Sequence, residues 1–142
     1  MREGKALIEI VSSEVGEAAQ QLWVSGEARE QNGRIRLAYR ERVTEEMDAE
    51  SDTDVVLHAR EGLVMMKRSG VYATSMSFCE GEQRDCTYRT PYGDLAAVIA
   101  AESVKTETEP FGGAVRILYT ISIQGADPSR RQICLTWRWQ EE

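Results

Sequence analysis

The sequence has few of the residues that most often supply nucleophiles and metal ligands. Its 142 residues include one histidine, His58, and three cysteines. No cysteine or histidine pair has the spacing of a zinc site, and the chain contains no nucleophile-elbow motif for His58 to serve. We therefore expect no metal, no cofactor and no catalytic residue. His58 is expected to be an ordinary strand residue, and a non-enzymatic function is favoured over an enzymatic one.

Long hydrophobic runs are also absent. The longest fully apolar stretch covers residues 95–101, far short of the roughly 20 residues that a membrane-spanning helix needs. Near the start, Glu9 interrupts the apolar residues 6–8 before they could form the core of an export signal. These absences predict a cytoplasmic protein that does not associate with membranes.

Positive charge is in deficit. Asp and Glu number 24 against 17 Lys and Arg, which gives a net charge of −7 and a pI near 4.9. Non-specific nucleic-acid binding draws its affinity from Lys and Arg that displace counterions from phosphates. In this chain the long-range field repels phosphates. Nucleic acid is therefore not an expected partner.

The three cysteines, Cys79, Cys86 and Cys134, are an odd number. Cys79 and Cys86 flank the turn-like residues 80–85, so a disulfide across a hairpin fits their spacing. A reducing compartment disfavours such a bond. The sequence favours three free thiols and leaves the pairing of Cys79 with Cys86 open.

What is present is a repeated two-residue alternation of apolar and polar side chains. In residues 115–124 the odd positions are Val, Ile, Tyr, Ile and Ile, and the even positions are mostly polar. Residues 132–139 alternate in the same way, with Trp137 and Trp139 on the apolar face. The intervening residues 125–129 have the composition of a hairpin turn. This pattern predicts half-buried antiparallel strands.

The same pattern recurs along the whole chain, interrupted by turn signals such as Asn32-Gly33. It predicts about ten short strands, and residues 95–102 are assigned to a strand although they are rich in alanine. Residues 45–54 are acidic and polar, and we expect a loop or one helical turn there. Consecutive hairpins favour closure, which removes exposed sheet edges. We therefore predict a single all-β domain over residues 1–142, a small antiparallel up-and-down β-barrel of about 8–10 strands.

Four segments of the sequence, taken in order, resemble a known family. They are Lys67-Arg68-Ser69-Gly70, Met76-Ser77-Phe78 followed by Gly81, Tyr88-Arg89-Thr90-Pro91-Tyr92-Gly93-Asp94-Leu95, and Gly112-Gly113-Ala114-Val115-Arg116-Ile117-Leu118-Tyr119. Their order and spacing resemble the YwiB-like family, small bacterial proteins with a domain of unknown function. The resemblance implies a lipocalin-like (calycin) barrel of lipocalin or streptavidin type, and it implies no catalytic residues.

One cluster of aromatic and basic residues is the candidate ligand site. It lies around the hairpins that would close one end of the barrel and consists of Arg68, Phe78, Tyr88, Arg89 and Tyr92. Aromatic surfaces with fixed hydrogen-bond donors at a barrel mouth suit a small-ligand pocket. The alternative is that Phe78 and Tyr88 belong to the core and that the two arginines extend outward into solvent.

A row of arginines follows one face of a predicted strand at Arg34, Arg36, Arg40 and Arg42. The row is either a solvated surface paired with glutamates of adjacent strands, such as Glu27, or a docking surface for an anion or an acidic partner. Exposed ion pairs are common, so the solvated surface is favoured.

Carboxylates at alternate positions give a superficial likeness to a calcium-binding loop. They are Asp48, Glu50, Asp52 and Asp54. The likeness fails because Thr53 stands where the loop needs glycine and Ala59 stands where it needs the bidentate glutamate. We expect a solvated segment and no metal.

Two functions of different classes fit this reading. The first is a barrel that binds a small apolar or amphipathic molecule in its interior, because small barrels can hold one ligand. The alternative is an interaction module that forms a homodimer or docks an acidic partner on its outer sheet. An enzyme is a third, disfavoured class, because no base is paired with a nucleophile.

Overall fold

Ten β-strands follow one another in the computed structural model, which describes residues 1–44, 49–70 and 73–140. Each strand pairs antiparallel with its neighbour in sequence, and β1 also pairs with β10 and so closes the barrel. The closed up-and-down barrel predicted from the alternation is thereby confirmed. The strands are Arg2–Glu14 (β1), Gln20–Gln31 (β2), Arg34–Thr44 (β3), Ala49–His58 (β4), Leu63–Ser69 (β5), Ala73–Cys79 (β6), Gln83–Thr90 (β7), Gly93–Glu109 (β8), Gly112–Ile123 (β9) and Ser129–Trp139 (β10).

The connection between β2 and β3 shows how the turn signals set the register. Asn32 and Gly33 both have positive φ, 54° and 78°, as a two-residue hairpin turn of the primed type requires. The ladder then starts at once, with Gln31 opposite Arg34. The turn predicted at this dipeptide is therefore confirmed, and it fixes which residues of β3 face inward.

The interior of the barrel is filled by every second residue of each strand. On β9 the buried residues are Val115, Ile117, Tyr119 and Ile121, the apolar positions of the predicted alternation. Trp137 on β10 is 2% exposed, and Trp139 is also buried. The rest of the core follows the same phase and includes Ala6, Ile8, Ile35, Leu37, Val55, Leu57, Val64, Phe78, Ile99 and Leu135.

One segment differs from the sequence prediction. Residues 49–54 belong to β4 and not to a loop, because they pair with β3 through contacts such as Arg40 opposite Asp52. Small hydroxyl side chains make the strand compatible with the interior, since Ser51 and Thr53 face inward and are only 2% and 1% exposed. Residues 45–48, also in the predicted loop, lie outside the described residues.

The alanine-rich segment is a strand, as predicted, and it forms part of the 17-residue strand β8. Ala97, Ile99 and Ala101 face the interior. The pairing with β9 then shifts between Ala101 and Ser103, a β-bulge that changes the inward phase, so that Val104 is buried next.

The two ends of the barrel differ. At the filled end Trp139 is buried, and the guanidinium carbon of Arg2 lies 4.5 Å from its ring centroid. The other end, called the open end, contains a cavity. Residues 15–19, 91–92 and 124–128 connect strands at the open end, and residues 32–33, 59–62, 80–82 and 110–111 connect them at the filled end. In the described parts of the chain, no helix has the length and hydrophobicity to cross a membrane.

Candidate ligand-binding site

A cavity of about 540 Å³ occupies the open end of the barrel. This volume lies within the range of small-molecule sites, roughly 300–1,000 Å³. Its apolar lining consists of Ile10, Leu22, Met66, Met76, Ile121, Ile123 and Ile133. Its polar lining consists of Ser12, Gln20, Gln21, Tyr39, Glu41, Arg68, Tyr88, Tyr119, Ser129 and Arg131. The cavity is therefore amphipathic.

Strand phase places an arginine and a glutamate inside this cavity. Glu41 lies two residues after the inward-facing Tyr39 on β3, and Arg68 lies two residues after the inward-facing Met66 on β5. Arg68 Nη2 lies 2.9 Å from Glu41 Oε1, and the Thr53 hydroxyl donates a hydrogen bond to the same oxygen at 3.3 Å. Because the Glu41 side chain is only 16% exposed, the charge of Arg68 is compensated inside the wall.

A second arginine, Arg131, also faces the cavity, from β10. Arg131 lies two residues before the buried Ile133 and therefore on the same face of the strand. It is opposite Tyr119 on β9 and interacts with the Tyr119 hydroxyl. Within residues 1–44, 49–70 and 73–140, no carboxylate forms an ion pair with Arg131, although the exposed Glu14 is its cross-strand neighbour on β1. Among the described side chains, the cavity thus has one arginine with a carboxylate partner, Arg68, and one without, Arg131.

Three tyrosine hydroxyls complete the polar side of the cavity. Burial is the main cause that raises the pKa of Tyr39 to about 12 and the pKa of Tyr88 to about 12. Burial also raises the pKa of Tyr119, against the opposing charge of Arg131. All three phenols are neutral at physiological pH, so each can donate a hydrogen bond. Tyr88 donates one to Met76 Sδ at 3.6 Å.

One hydroxyl beside Arg131 has no partner. Ser129 Oγ is buried and forms no hydrogen bond with the described residues, and Ser129 lines the cavity. Ser129 lies two residues before Arg131 on the same face of β10. A buried polar group without a partner carries a desolvation cost, which a ligand with a polar head can remove.

The five residues of the predicted cluster do not all lie in the cavity. Arg68 and Tyr88 line it. Phe78 is fully buried and contacts Tyr119, one of the lining residues. Arg89 is exposed on β7, and Tyr92 is 94% exposed in the turn that follows. The predicted cluster thus divides into lining, core and outer-surface positions.

Sequence reasoning missed Arg131, Glu41, Tyr39 and Tyr119 as lining residues. The alternation of the strands could have identified them, because side chains two residues apart on a strand face the same side. Arg131 is two residues from Ile133, and Glu41 is two residues from Tyr39. A charged residue in phase with buried residues near a strand end faces the mouth of the barrel.

The predicted arginine row is paired with the predicted acidic run. Arg36 Nε lies 3.0 Å from Asp54 Oδ1, and Arg40 Nε lies 2.9 Å from Asp52 Oδ1. The partners are therefore aspartates of β4 and not Glu27. The side chains of Arg42, Asp48 and Glu50 lie outside the described residues. In the described parts of the chain, no group of three or more His, Cys, Asp and Glu could hold a metal ion.

His58 and the cysteines occupy ordinary positions in the barrel. His58 ends β4, and its Nδ1 lies 3.9 Å from a carboxylate oxygen of Glu61 in the following turn. The three thiols are free, and Cys86 is buried while Cys79 and Cys134 are half-buried. Burial raises the pKa of the Cys86 thiol, which keeps it protonated and unreactive.

A second concavity lies on the outer face of β1, β2, β8, β9 and β10. This outer groove has a volume of about 430 Å³ and is flanked by Trp23 and Phe111, each 56% exposed. The remaining lining residues are Leu7, Glu9, Glu107, Glu109, Gly113, Ala114, Thr136, Trp137 and Arg138. Exposed aromatic side chains beside carboxylates make this surface distinct from the arginine-bearing face of β3.

Comparison with known proteins identifies similarity at two levels. Residues 8–135 match the family described as a domain of unknown function, DUF1934. The chain is also similar to the crystal structure of the YwiB protein from Bacillus subtilis, with a TM-score of 0.78 and 18% sequence identity over 96% of this chain and 91% of that one. No curated protein matched the sequence. At this identity, the structural similarity shows a shared fold and no function.

Proposed function

The chain belongs to the DUF1934 family of domains of unknown function, as the sequence resemblance predicted, and we propose that it binds a small amphipathic molecule in the cavity at the open end of its barrel. The observation that carries the proposal is the division of the lining into an apolar wall and a polar side that holds two arginines and three tyrosines. Ligand sites in proteins combine apolar surface with a few fixed polar groups in this way.

Closure of the barrel supports this function because it fixes the wall before any ligand arrives. Each strand of the barrel is hydrogen-bonded on both sides. A preformed wall loses little conformational entropy on binding. The apolar residues Met66, Met76 and Ile121 then gain from contact with an apolar ligand segment in place of water.

The test is a titration with 1-aminoanthracene, a neutral probe whose fluorescence rises in apolar surroundings. Two adjacent methionines provide matched variants, since Met66 is buried and lines the cavity while Met65 is 46% exposed on the outer face. We expect saturable binding of one probe per chain. Met66→Gln should weaken it about fivefold or more, because a polar amide replaces apolar wall, and Met65→Gln should leave it unchanged. Absence of saturable binding, or equal effects of the two variants, would contradict the proposal.

A second candidate function is the binding of a partner protein through the outer groove. The observation that favours it is the exposure of Trp23 and Phe111 beside Glu9, Glu107 and Glu109. Aromatic residues are enriched in protein interfaces, and the carboxylates favour a partner segment that presents a lysine or arginine next to an apolar side chain. The pairing of Arg36 and Arg40 with aspartates argues against an acidic partner on the arginine-bearing face of β3.

Peptide binding measured by tryptophan fluorescence tests this second function. A peptide with alternating lysine and leucine should bind with an affinity that falls as salt is raised, and Trp23→Ala should abolish the binding. A glutamate–leucine peptide is the control and should not bind. A different outcome would assign the groove to a second copy of the chain. In that case neither peptide binds, light scattering shows a dimer, and Trp23→Ala dissociates that dimer.

A further inference from the structure

We propose that the ligand of the open-end cavity carries a single carboxylate, which the Arg131 guanidinium binds beside Tyr119 and Ser129. This inference rests on the proposed function and adds the chemical class of the ligand to it. It depends on the charges of the described side chains inside the cavity and on the unpartnered hydroxyl of Ser129 close to Arg131.

Arg131 has no carboxylate partner among the side chains that the structure describes. The side chain is half-buried and faces the cavity, and no ion pair joins it to a carboxylate in the described parts of the chain. Glu14, its cross-strand neighbour, is exposed at the rim and does not approach within ion-pair distance. A guanidinium presents parallel N–H donors that match the two oxygens of a carboxylate. An anionic ligand head at this position supplies a charge that none of the described side chains supplies.

Two neutral hydroxyl donors lie around Arg131. Tyr119 lies directly opposite Arg131 in the β9–β10 ladder, and Ser129 precedes Arg131 on the same face of β10. The Tyr119 hydroxyl is neutral and can donate, and Ser129 Oγ is buried without a partner. Both can hydrogen-bond the oxygens of a carboxylate that Arg131 holds.

The ion pair between Arg68 and Glu41 limits the ligand to one negative charge. Of the two arginines in the cavity, Arg68 is already paired with Glu41, whose carboxylate also accepts a hydrogen bond from Thr53. Among the side chains that the structure describes, one positive charge in the cavity, that of Arg131, therefore remains without a carboxylate partner. A dianionic head, such as a phosphate monoester, brings a second negative charge toward Glu41, or it must displace Glu41 from Arg68. Both outcomes are unfavourable in a partly buried site.

The experiment compares three molecules with the same apolar tail: decanoate, decanol and decyl phosphate. Each displaces 1-aminoanthracene from the protein at about pH 8, where a phosphate monoester carries close to two charges. Decanoate should bind about tenfold or more tightly than decanol, because its carboxylate can form a hydrogen-bonded ion pair with Arg131 and the neutral hydroxyl of decanol cannot. It should also bind more tightly than decyl phosphate.

Adjacent arginines provide the matched variants. Arg130 faces outward and pairs with Glu102 at 2.8 Å, while Arg131 faces the cavity. Arg131→Gln should remove the preference for decanoate over decanol, whereas Arg130→Gln should preserve that preference and leave 1-aminoanthracene binding unchanged. Glu41→Gln should release Arg68 and improve decyl phosphate binding about tenfold relative to decanoate.

The outcomes separate the two proposals. Failure of 1-aminoanthracene to bind overturns the proposed function itself. If the probe binds but decanoate and decanol displace it equally, or if Arg131→Gln keeps the preference for decanoate, the assignment of Arg131 as the carboxylate site is wrong. Stronger binding of decyl phosphate than of decanoate to the unmodified protein overturns the restriction to one charge.

Discussion

Phe78 and Tyr119 meet edge to face inside the barrel, with ring centroids 4.9 Å apart and planes inclined at 64°. The two rings come from strands β6 and β9, which are not neighbours in the sheet. Phe78 is fully buried, whereas Tyr119 lines the cavity. The contact therefore joins the packed interior to the wall of the open end and holds the Tyr119 ring in position beside Arg131.

Phe78→Ala should destabilise the fold strongly. Removing a fully buried phenyl ring loses its transfer free energy and leaves a void, which typically costs about 3–5 kcal/mol. Tyr92→Ala removes an aromatic ring that is 94% exposed and should change the free energy of unfolding by less than about 0.5 kcal/mol. Urea unfolding followed by far-ultraviolet circular dichroism measures both values. A cost for Phe78→Ala no greater than that for Tyr92→Ala would show that the edge-to-face contact is absent in solution.

The stability of the protein should fall between about pH 10 and pH 12. In the folded chain the pKa of Tyr39 and that of Tyr88 are raised from the ordinary value of 10.0 to about 12. In that interval the unfolded chain has lost protons that the folded chain still holds. Stability therefore decreases as the pH rises, by up to about 1.4 kcal/mol per pH unit for each group. Below about pH 10 the two phenols have no effect.

Alkaline titration of tyrosinate absorbance, combined with urea unfolding at each pH, measures this effect. Tyr88→Phe removes one of the two late-titrating groups and should reduce the slope of stability against pH. Ionisation of every tyrosine near pH 10 in the folded protein, with no slope above that pH, would contradict the burial of both hydroxyls.

The alternation of the sequence was sufficient to predict the fold. Residues 115–124 and 132–139 identify their inward faces directly, and Asn32-Gly33 fixes a hairpin register. The prediction failed for residues 49–54 because polarity alone resembles a loop. The segment is a strand because its backbone pairs with β3, which turns Ser51 and Thr53 inward and places Asp52 and Asp54 beside Arg40 and Arg36.

The candidate site was harder to predict, since a cavity lining depends on which strands meet around the mouth. Arg89 and Tyr92 are close in sequence to Tyr88, but strand alternation and the following turn place them outside. Arg131 is distant from Arg68 in sequence, yet both residues line the open end because the last strand pairs with the first. Sequence proximity therefore grouped Arg89 and Tyr92 with Tyr88, although both lie outside the cavity, and it omitted Arg131.

Gly113→Ala should destabilise the barrel, whereas Gly4→Ala should not. Gly113 lies opposite Trp137 in the β9–β10 ladder, and an added Cβ would meet the backbone oxygen of Glu107 at 2.5 Å and the indole ring of Trp137. Overpacking of this kind costs about 1–3 kcal/mol. Nothing lies within 4 Å of a Cβ at Gly4. Thermal unfolding of both variants tests the difference, and a Gly113→Ala protein as stable as the parent would mean that both the indole of Trp137 and the backbone at Glu107 can shift to accept the methyl group.

The ion pair between Arg36 and Asp54 should contribute little to stability, and its contribution should decrease with salt. Arg36 Nε and Asp54 Oδ1 are 3.0 Å apart, but both side chains are largely exposed. Exposed pairs typically contribute about 0.2–1 kcal/mol, and about 1 M salt screens charges over roughly 3 Å. A double-mutant cycle with Arg36→Ala and Asp54→Ala, measured by urea unfolding at low and high salt, gives the coupling energy. A large coupling that salt does not change would show that the pair is shielded from solvent. Arg36 would then be a structural residue of a covered surface, since its charge would have no access to an anionic partner.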